Sequence, residues 1–339
     1  MAEKYSNIAV IYGSDSSECE VSCRSGEFVA SRVDDTKYSV YEVFARHGRW
    51  ELVAFRKKDS MRVTFPEGSR PRVDRNDFSV NVYGENIKLD YAYVVQHGRP
   101  GENGLLQGYL EMLGIPYSSC SAFVSSVVFD KYACKCYLRN AGLVNMAPEV
   151  FIRKGSDVDA CVREVVSTLG FPVFVKPTDG GSSFGITKVS SPEGLSDAIS
   201  YAFSEGETLI IEQGVVGREL TCAAYLDGGE VKALPVIEIV TENDYFDYDA
   251  KYNGYSQEIC PAPIPEDLEK LIKETTCNIY RHLGCKGVVR IDYISAEDGL
   301  YFLEVNNIPG MTSASLVPRM VRTAGMDMTA FISTIIENS

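Results

Sequence analysis

Residues 287–306, GVVRIDYISAEDGLYFLEVN, constrain the fold more than any other stretch of this chain. Two runs of strand formers flank the turn residues SAEDG, and polar and apolar side chains alternate along each run. Successive side chains of a strand point to opposite faces. Arg290 and Asp292 therefore share one face while Val289 and Ile291 take the other, and Glu304 and Asn306 share a face in the same way. The spacing predicts an antiparallel hairpin with its apolar face on a core and two carboxylates, one amide and one guanidinium converging on the other face. Oxygen ligands of this kind suit Mg²⁺, which keeps several waters and takes its remaining ligands from substrate phosphates. A guanidinium beside them serves no purpose in metal binding alone, but it fits a site where negative charge develops during a reaction. A polar outer face with an ion pair gives the same pattern.

A second segment, FVKPTDGGSSFGITKV at 174–189, runs from strand formers through Lys176 and Pro177 to Gly180, Gly181, Ser182 and Ser183, and leaves as another strand. In a P-loop the lysine follows the glycines and a helix starts at once. Here the lysine comes first. The order predicts a hairpin with amide N–H groups and hydroxyls at its tip and an ammonium at the end of the incoming strand, which suits a phosphate chain. An ordinary glycine hairpin with a solvated lysine would read alike. In IIEQGVVGREL, Glu212 ends a strand and Glu219 follows seven residues on, flanking Val215 and Val216. A strand-end backbone there could read an adenine edge while a carboxylate takes ribose hydroxyls. Lys131 falls within a predicted helix whose apolar face is Phe123, Val127 and Tyr137, which by itself describes a solvated lysine.

Strand and helix alternate over the first 120 residues, from NIAVIYG to GLLQGYLEMLGIPYSS, which argues for an open α/β sheet with its ligand edge at the strand C-termini. The loops GSDSSE and HGRPGE would lie on that edge. From Ser121 one long amphipathic helix, SAFVSSVVFDKYACKCYLRNAG, is expected to run to Gly142. The β/α rhythm then restarts with PEVFIRK and becomes β-rich after GVVGRELTCAAYL. Between Thr241 and Pro265 the stretch TENDYFDYDAKYNGYSQEICPAP shows neither period, as a lid or binding loop would. A helix from Glu266 to Leu283 and two closing helices complete the chain.

At 339 residues, two or three core-bearing units are expected. The 33 basic against 47 acidic residues give a net charge of −14, so nucleic acid is a poor partner and a polyanionic ligand needs a local basic pocket. No apolar run is long enough to span a bilayer and the start lacks a signal-peptide pattern, so no membrane association and a cytoplasmic location are expected. Ten scattered cysteines without a CxxC pair, and three histidines, point to reduced thiols rather than disulfides or zinc. YGSDSSE offers no G-x-G-x-x-G after its strand, which argues against a dinucleotide-binding dehydrogenase.

Taken in order, YGSDSSECEVS, HGRPGENGLLQGYLEMLGIPY, VKPTDGGSSFGITKV, VVGREL, FDYDAKY, VRIDY and LEVNNIPGMTSASLVP resemble the D-alanine:D-alanine ligase family of the ATP-grasp superfamily, from about Ile8 to Phe331. The resemblance implies an α/β (α+β) three-domain ATP-grasp fold. Its parts would be an N-terminal open α/β domain at 1–119, a central domain at 120–213 and a C-terminal domain with lid and metal site at 214–339. It implies a homodimer that joins two D-alanines into D-alanyl-D-alanine through an acyl phosphate, for peptidoglycan precursor synthesis. ATP is a substrate, and Mg²⁺ or Mn²⁺, as two ions, the cofactor.

Carried over by position, Lys176 and Lys131 hold the α/β-phosphates, the loop at Ser182 and Ser183 folds over the transferred phosphate, and Lys251 reaches the γ-phosphate. Glu212 and the backbone of Gln213 to Val215 read adenine, and Glu219 the ribose. Asp292, Glu304 and Asn306 hold the metal, with Glu304 bridging two ions. Glu18 takes the first substrate's ammonium group with His97 nearby, and Ser315 with the Leu316 backbone takes the second substrate's carboxylate. Tyr252, Ser182 and Glu18 form the network that closes the lid, and Arg290 with the Gly310 N–H forms the oxyanion site. Read from the residues alone, His97 is equally a structural turn histidine, Glu18 a helix N-terminal carboxylate and Tyr252 core packing. Asn103 and Asn307 stand where the family commonly has aspartate and threonine, which bears on substrate affinity more than on reaction type. Two alternatives stay open: a related ligase using D-lactate or D-serine as acceptor, and a nucleotide-binding regulator without turnover.

Overall fold

A computed structural model of the chain describes residues 4–180, 185–241 and 256–339. In the N-terminal part, β1 (Asn7–Tyr12), β2 (Ser39–Arg46), β3 (Arg49–Arg56), β4 (Val63–Thr64) and β8 (Tyr91–Val94) form a sheet in the order β4-β3-β2-β1-β8. β1 lies parallel to both β2 and β8, and the outer pairings are antiparallel. The apolar run NIAVIY is what a strand covered on both faces requires. Ile8, Val10 and Tyr12 enter one core with Val29 and Val33, while Ala9 and Ile11 enter another with Leu106 and Leu110. The helices Cys19–Arg32 and Leu105–Met112 thus sit on opposite faces of the sheet. Between β4 and β8 comes a small sheet of β5 (Val73–Asp74), β6 (Ser79–Val82) and β7 (Glu85–Lys88), absent from the sequence reading. Its hairpin turns on Tyr83 (φ 52°) and Gly84 (φ 91°). A left-handed tyrosine carries little turn signal, so the alternation around it passes unnoticed.

The central sheet, β9 (Glu149–Arg153), β10 (Val173–Pro177), β11 (Thr187–Val189) and β12 (Thr208–Gln213), has the order β11-β10-β12-β9 and is antiparallel throughout. The expected hairpin is present as β10–β11, with Phe174 opposite Lys188. Val150, Val173, Val175, Leu209 and Ile211 pack under the helices Val158–Thr168 and Leu195–Glu205. Alternation then assigns Glu149, Phe174, Lys176 and Glu212 to the opposite face.

The third sheet comprises β13 (Arg218–Asp227), β14 (Glu230–Ala233), β15 (Ile237–Thr241), β16 (Ser256–Ile259), β17 (Val288–Ala296) and β18 (Gly299–Asn306) in the order β16-β15-β13-β17-β18, with β14 paired to β13. The strand β16 comes from the end of the stretch read as a lid, and residues 242–255 of that stretch lie outside the described residues. The helix Glu266–Leu283 has the expected bounds. It packs Ile272 and Ile279 against Leu220, Val289, Ile291 and Val305. The closing helices Leu316–Thr323 and Met328–Glu337 join the core that includes Ile8 and Val10.

The single long helix expected from Ser121 is instead two, Ala122–Phe129 and Lys131–Arg139, with Asp130 extended between them (φ −91°, ψ 111°). Asp130 Oδ1 accepts a hydrogen bond from the Ala133 N–H (2.8 Å), an N-cap, and the Lys131 N–H donates to the Thr178 carbonyl (2.7 Å). Pairing with the β10–β11 hairpin overrides helical periodicity here. The buried stripe also differs from the expected one: Val124, Val128, Cys134 and Leu138 face the core of the third sheet, while Phe123 and Tyr137 are exposed.

All ten cysteines are free thiols, Cys120, Cys134, Cys161, Cys222 and Cys285 being buried. Among the described residues no helix is long and apolar enough to cross a membrane. Gly26, in the interior of its helix, is retained despite its poor helix propensity because a Cβ there would lie 2.2 Å from the buried Tyr12 ring. Gly26→Ala is expected to cost about 1–3 kcal/mol by overpacking, read as a lower urea midpoint at unchanged m-value.

Candidate active site

The polar faces of the second and third sheets look into one cavity of about 1240 Å³. It is bordered by every described residue of the predicted set, Glu18, His97, Ser315 and Leu316 included. Ser182, Ser183, Lys251 and Tyr252 lie outside the described residues.

The β17–β18 register sets Asp292 opposite Glu304 and Arg290 opposite Asn306, so the predicted convergence is present. Buried Asp292 is its hub. Its Oδ1 accepts from Thr221 Oγ1 (2.6 Å) and Arg290 Nε (2.9 Å), and its Oδ2 accepts from Arg290 Nη2 and Asn306 Nδ2 (both 2.9 Å). Among the described residues, no three Asp, Glu, His or Cys side chains group closely enough to hold a metal by themselves. Asp292, Glu304 and the Asn306 amide oxygen form the partial oxygen set that Mg²⁺ completes with water and phosphate, so the donor chemistry fits such an ion. Glu219 on β13 shares this face of the sheet with Thr221 and Asp292.

Facing this hairpin is a cluster of lysines. Lys131 Nζ lies 3.4 Å from Glu304 Oε2 and donates to the Gly180 carbonyl (3.0 Å). Lys176, largely shielded from water near the end of β10, contacts Glu212 Oε2. Burial, with the Lys135 and Lys131 ammonium groups beside it, pulls the Lys176 ammonium down to about 7. Lys135 went unrecognised in the sequence. It is fully buried, contacts Glu212 Oε1 and lies 3.2 Å from Glu149 Oε2, while Arg139 contacts the other Glu149 oxygen. Its place four residues after Lys131, on one helix face, was the available signal. The Glu212 carboxylate, expected to read adenine, is here held by two ammonium groups, with the Gln213–Val215 backbone beside it on the cavity wall.

At the N-terminal end His97 is buried with both ring nitrogens engaged, Nδ1 with the Ile308 carbonyl (3.1 Å) and Nε2 with Ser25 Oγ (3.0 Å). Glu102, another residue not foreseen, lies 3.8 Å from Nδ1. Burial pushes its carboxyl above the usual range. Glu18 occupies the N-cap position of its helix but makes no capping bond, and its carboxylate borders the cavity. Asn307, one of the departures from the family pattern, donates to the Glu102 carbonyl (3.1 Å) and so ties the HGRPGE loop to the end of β18. Ser315 precedes the helix Leu316–Thr323 and bonds Thr312 through its Oγ (2.8 Å). A Cβ on Gly310 would fall 2.9 Å from that Oγ, so the glycine and the serine are in close approach.

Two family models match consecutive parts of the sequence, the D-ala D-ala ligase N-terminus over residues 7–120 and the D-ala D-ala ligase C-terminus over residues 137–337. This chain belongs to the D-alanine–D-alanine ligase family. A D-alanine–D-alanine ligase of Phocaeicola vulgatus is 44% identical over 332 residues, 98% of either chain. One from Parabacteroides distasonis is 44% identical over 333 residues, 98% of this chain and 97% of that one. Among solved structures, the VanG D-Ala:D-Ser ligase of Enterococcus faecalis is similar with TM-score 0.86 and 31% identity over 98% of this chain and 99% of that one. D-alanyl-alanine synthetase A of Vibrio cholerae is similar with TM-score 0.84 and 26% identity over 99% of each. The fold is that of the ATP-grasp ligases.

Within this family fold, Asp130 directs Lys131 into the cavity, since its Oδ1 caps the helix and its Oδ2 accepts from Thr178 Oγ1 (2.9 Å). Asp130→Ala is expected to lower stability by about 1–2 kcal/mol, seen as a fall in thermal midpoint.

Proposed function

We propose that the chain is an ATP-dependent ligase that joins two D-alanines into D-alanyl-D-alanine, the dipeptide used in peptidoglycan precursors. One observation carries the reading: in a chain of this family, the carboxylates of β17 and β18, Lys176 of the central sheet and Lys131 of the helix Lys131–Arg139 border one cavity. The division into 1–119, 120–213 and 214–339 is proposed on the three larger of the four sheets, and a cytoplasmic homodimer on the family resemblance.

A carboxylate does not react with an amine at neutral pH, because oxide would have to leave. Phosphorylation removes that obstacle. The first D-alanine is held by Glu18 through its ammonium group, and its carboxylate attacks the γ-phosphate in line. Lys176 and Lys131 take the α/β-phosphates, Lys251 the γ-phosphate, and the loop at Ser182 and Ser183 closes over the transferred group. Glu212 with the Gln213–Val215 backbone takes adenine, and Glu219 the ribose. Asp292, Glu304 and Asn306 would hold one or two Mg²⁺ or Mn²⁺ ions, which bound there neutralise phosphate charge. The acyl phosphate must be kept from water, the task of the lid with Tyr252 in its closing network.

The second D-alanine is held by its carboxylate at Ser315 and the Leu316 backbone, the start of a helix where anions are favoured. Its amine attacks the acyl carbon, the oxyanion rests against Arg290 and the Gly310 N–H, and phosphate departs. His97, its ring nitrogens engaged by Ser25 and the Ile308 carbonyl from two other segments, orients the Glu18 side of the site.

Arg290→Ala is expected to lower kcat by about 10²- to 10³-fold with little change in the KM for ATP, and an unchanged kcat in steady-state assays would remove the oxyanion role. The low Lys176 value has a definite sign: the free protein keeps this charge below pH 7 and loses it above. Triphosphate favours the charged form, so ATP affinity falls as pH rises past 7, and binding at pH 8 takes up about one proton. Calorimetry in buffers of different ionisation heat reads this uptake, which should vanish in Lys176→Ala. Phosphate release with D-alanine, D-serine and D-lactate as acceptors, with product analysis, tests the reaction itself; release independent of D-alanine would refute it.

A further inference from the structure

We propose that Lys135 is a positioning residue that sets the enzyme's preference for an adenine base by anchoring the Glu212 carboxylate from behind. The inference rests on the assignment of Glu212 to the adenine site.

The register of the central sheet explains why an anchor is needed. Glu212 on β12 lies directly opposite Glu149 on β9, with both side chains on the cavity face. Like charges in directly opposite positions repel, and both of these carboxylates are nearly removed from water. The helix Lys131–Arg139 brings Lys135 between them, in contact with Glu212 Oε1 and 3.2 Å from Glu149 Oε2. Lys176 takes only the other oxygen, Oε2, of Glu212.

The division of labour follows. When Lys176 turns to the phosphates, Glu212 Oε2 is released toward the cavity. Lys135 still holds Oε1, so the carboxylate stays ionised and in place. An ionised carboxylate accepts a hydrogen bond from the exocyclic amine of adenine and repels the carbonyl that hypoxanthine carries at the same position. Without Lys135, Glu149 pushes Glu212 away or drives a proton onto it, and a protonated carboxyl meets amine and carbonyl alike. A lysine that merely stabilised the fold would affect both nucleotides equally.

The test compares kcat/KM for ATP and for ITP. Wild type is expected to favour ATP by about tenfold or more, and Lys135→Met to bring the ratio to within about threefold of unity with kcat for ATP much less affected than its KM. Should Lys135→Met fail to fold, Lys135→Met/Glu149→Gln removes the repelling pair, and selectivity is still expected to be lost because Glu212, shielded from water and without the Lys135 charge, is driven to its neutral form. A wild-type ratio in the folded single or double variant, alongside a lost ratio in Glu212→Ala, would overturn the role of Lys135 alone. Equal use of ATP and ITP by wild type would overturn the Glu212 assignment and this inference with it.

Discussion

Two antiparallel sheets present polar stretches of strand to a common cavity, and the rest of the site depends on that constraint: the central sheet packs a core on its other face only, and the third packs one on its far face and a second where the closing helices cover part of the near one. Period-two alternation allows a strand no compromise: a residue faces the core or it faces the ligand side. Val173 and Val175 are in the core, so Phe174 and Lys176 are not. Val289 and Ile291 are in the core, so Arg290 and Asp292 are not. A slip of one residue in either strand would bury the charges and expose the valines, which fixes the register more firmly than hydrogen bonding alone.

Charges gathered this closely are costly unless each has a partner. Asp292 accepts from a hydroxyl, a guanidinium and an amide. Glu212 and Glu149 share Lys135. The cations nearest the phosphate side, Lys131 and Lys176, are held by Glu304 and Glu212. Opposite charges compensate one another before any triphosphate arrives, and such pairs are ready to exchange one anion for another.

The metal-side hairpin was legible because its signal is local: twenty consecutive residues contain both strands and the turn between them. The phosphate-side hairpin was legible for the same reason, and the helix Glu266–Leu283 because Leu268, Ile272, Ile279 and Leu283 recur at helical spacing within eighteen consecutive residues. The break at Asp130 was not, since KYACKCYL continues the helical pattern of SAFVSSVVF and only the Lys131–Thr178 hydrogen bond, across forty-seven residues of chain, interrupts it. The sheet at Val73–Lys88 escaped because its strands are two to four residues long and its turn sits on a tyrosine. Lys135 was hidden by its type, because a lysine on a helix is ordinarily solvated, and its burial depends on two glutamates brought there by β9 and β12.

Sequence alone determined which side chains share a strand face, where the glycine turns fall and, through seven ordered motifs, the family. Only the tertiary structure decided which faces meet, which oxygen each cation takes, and that the helix breaks at Asp130 so that Lys131 meets Glu304. Alternation is a property of neighbours along the chain, whereas partnership between charges depends on which distant segments the packing of three sheets brings within a few ångströms.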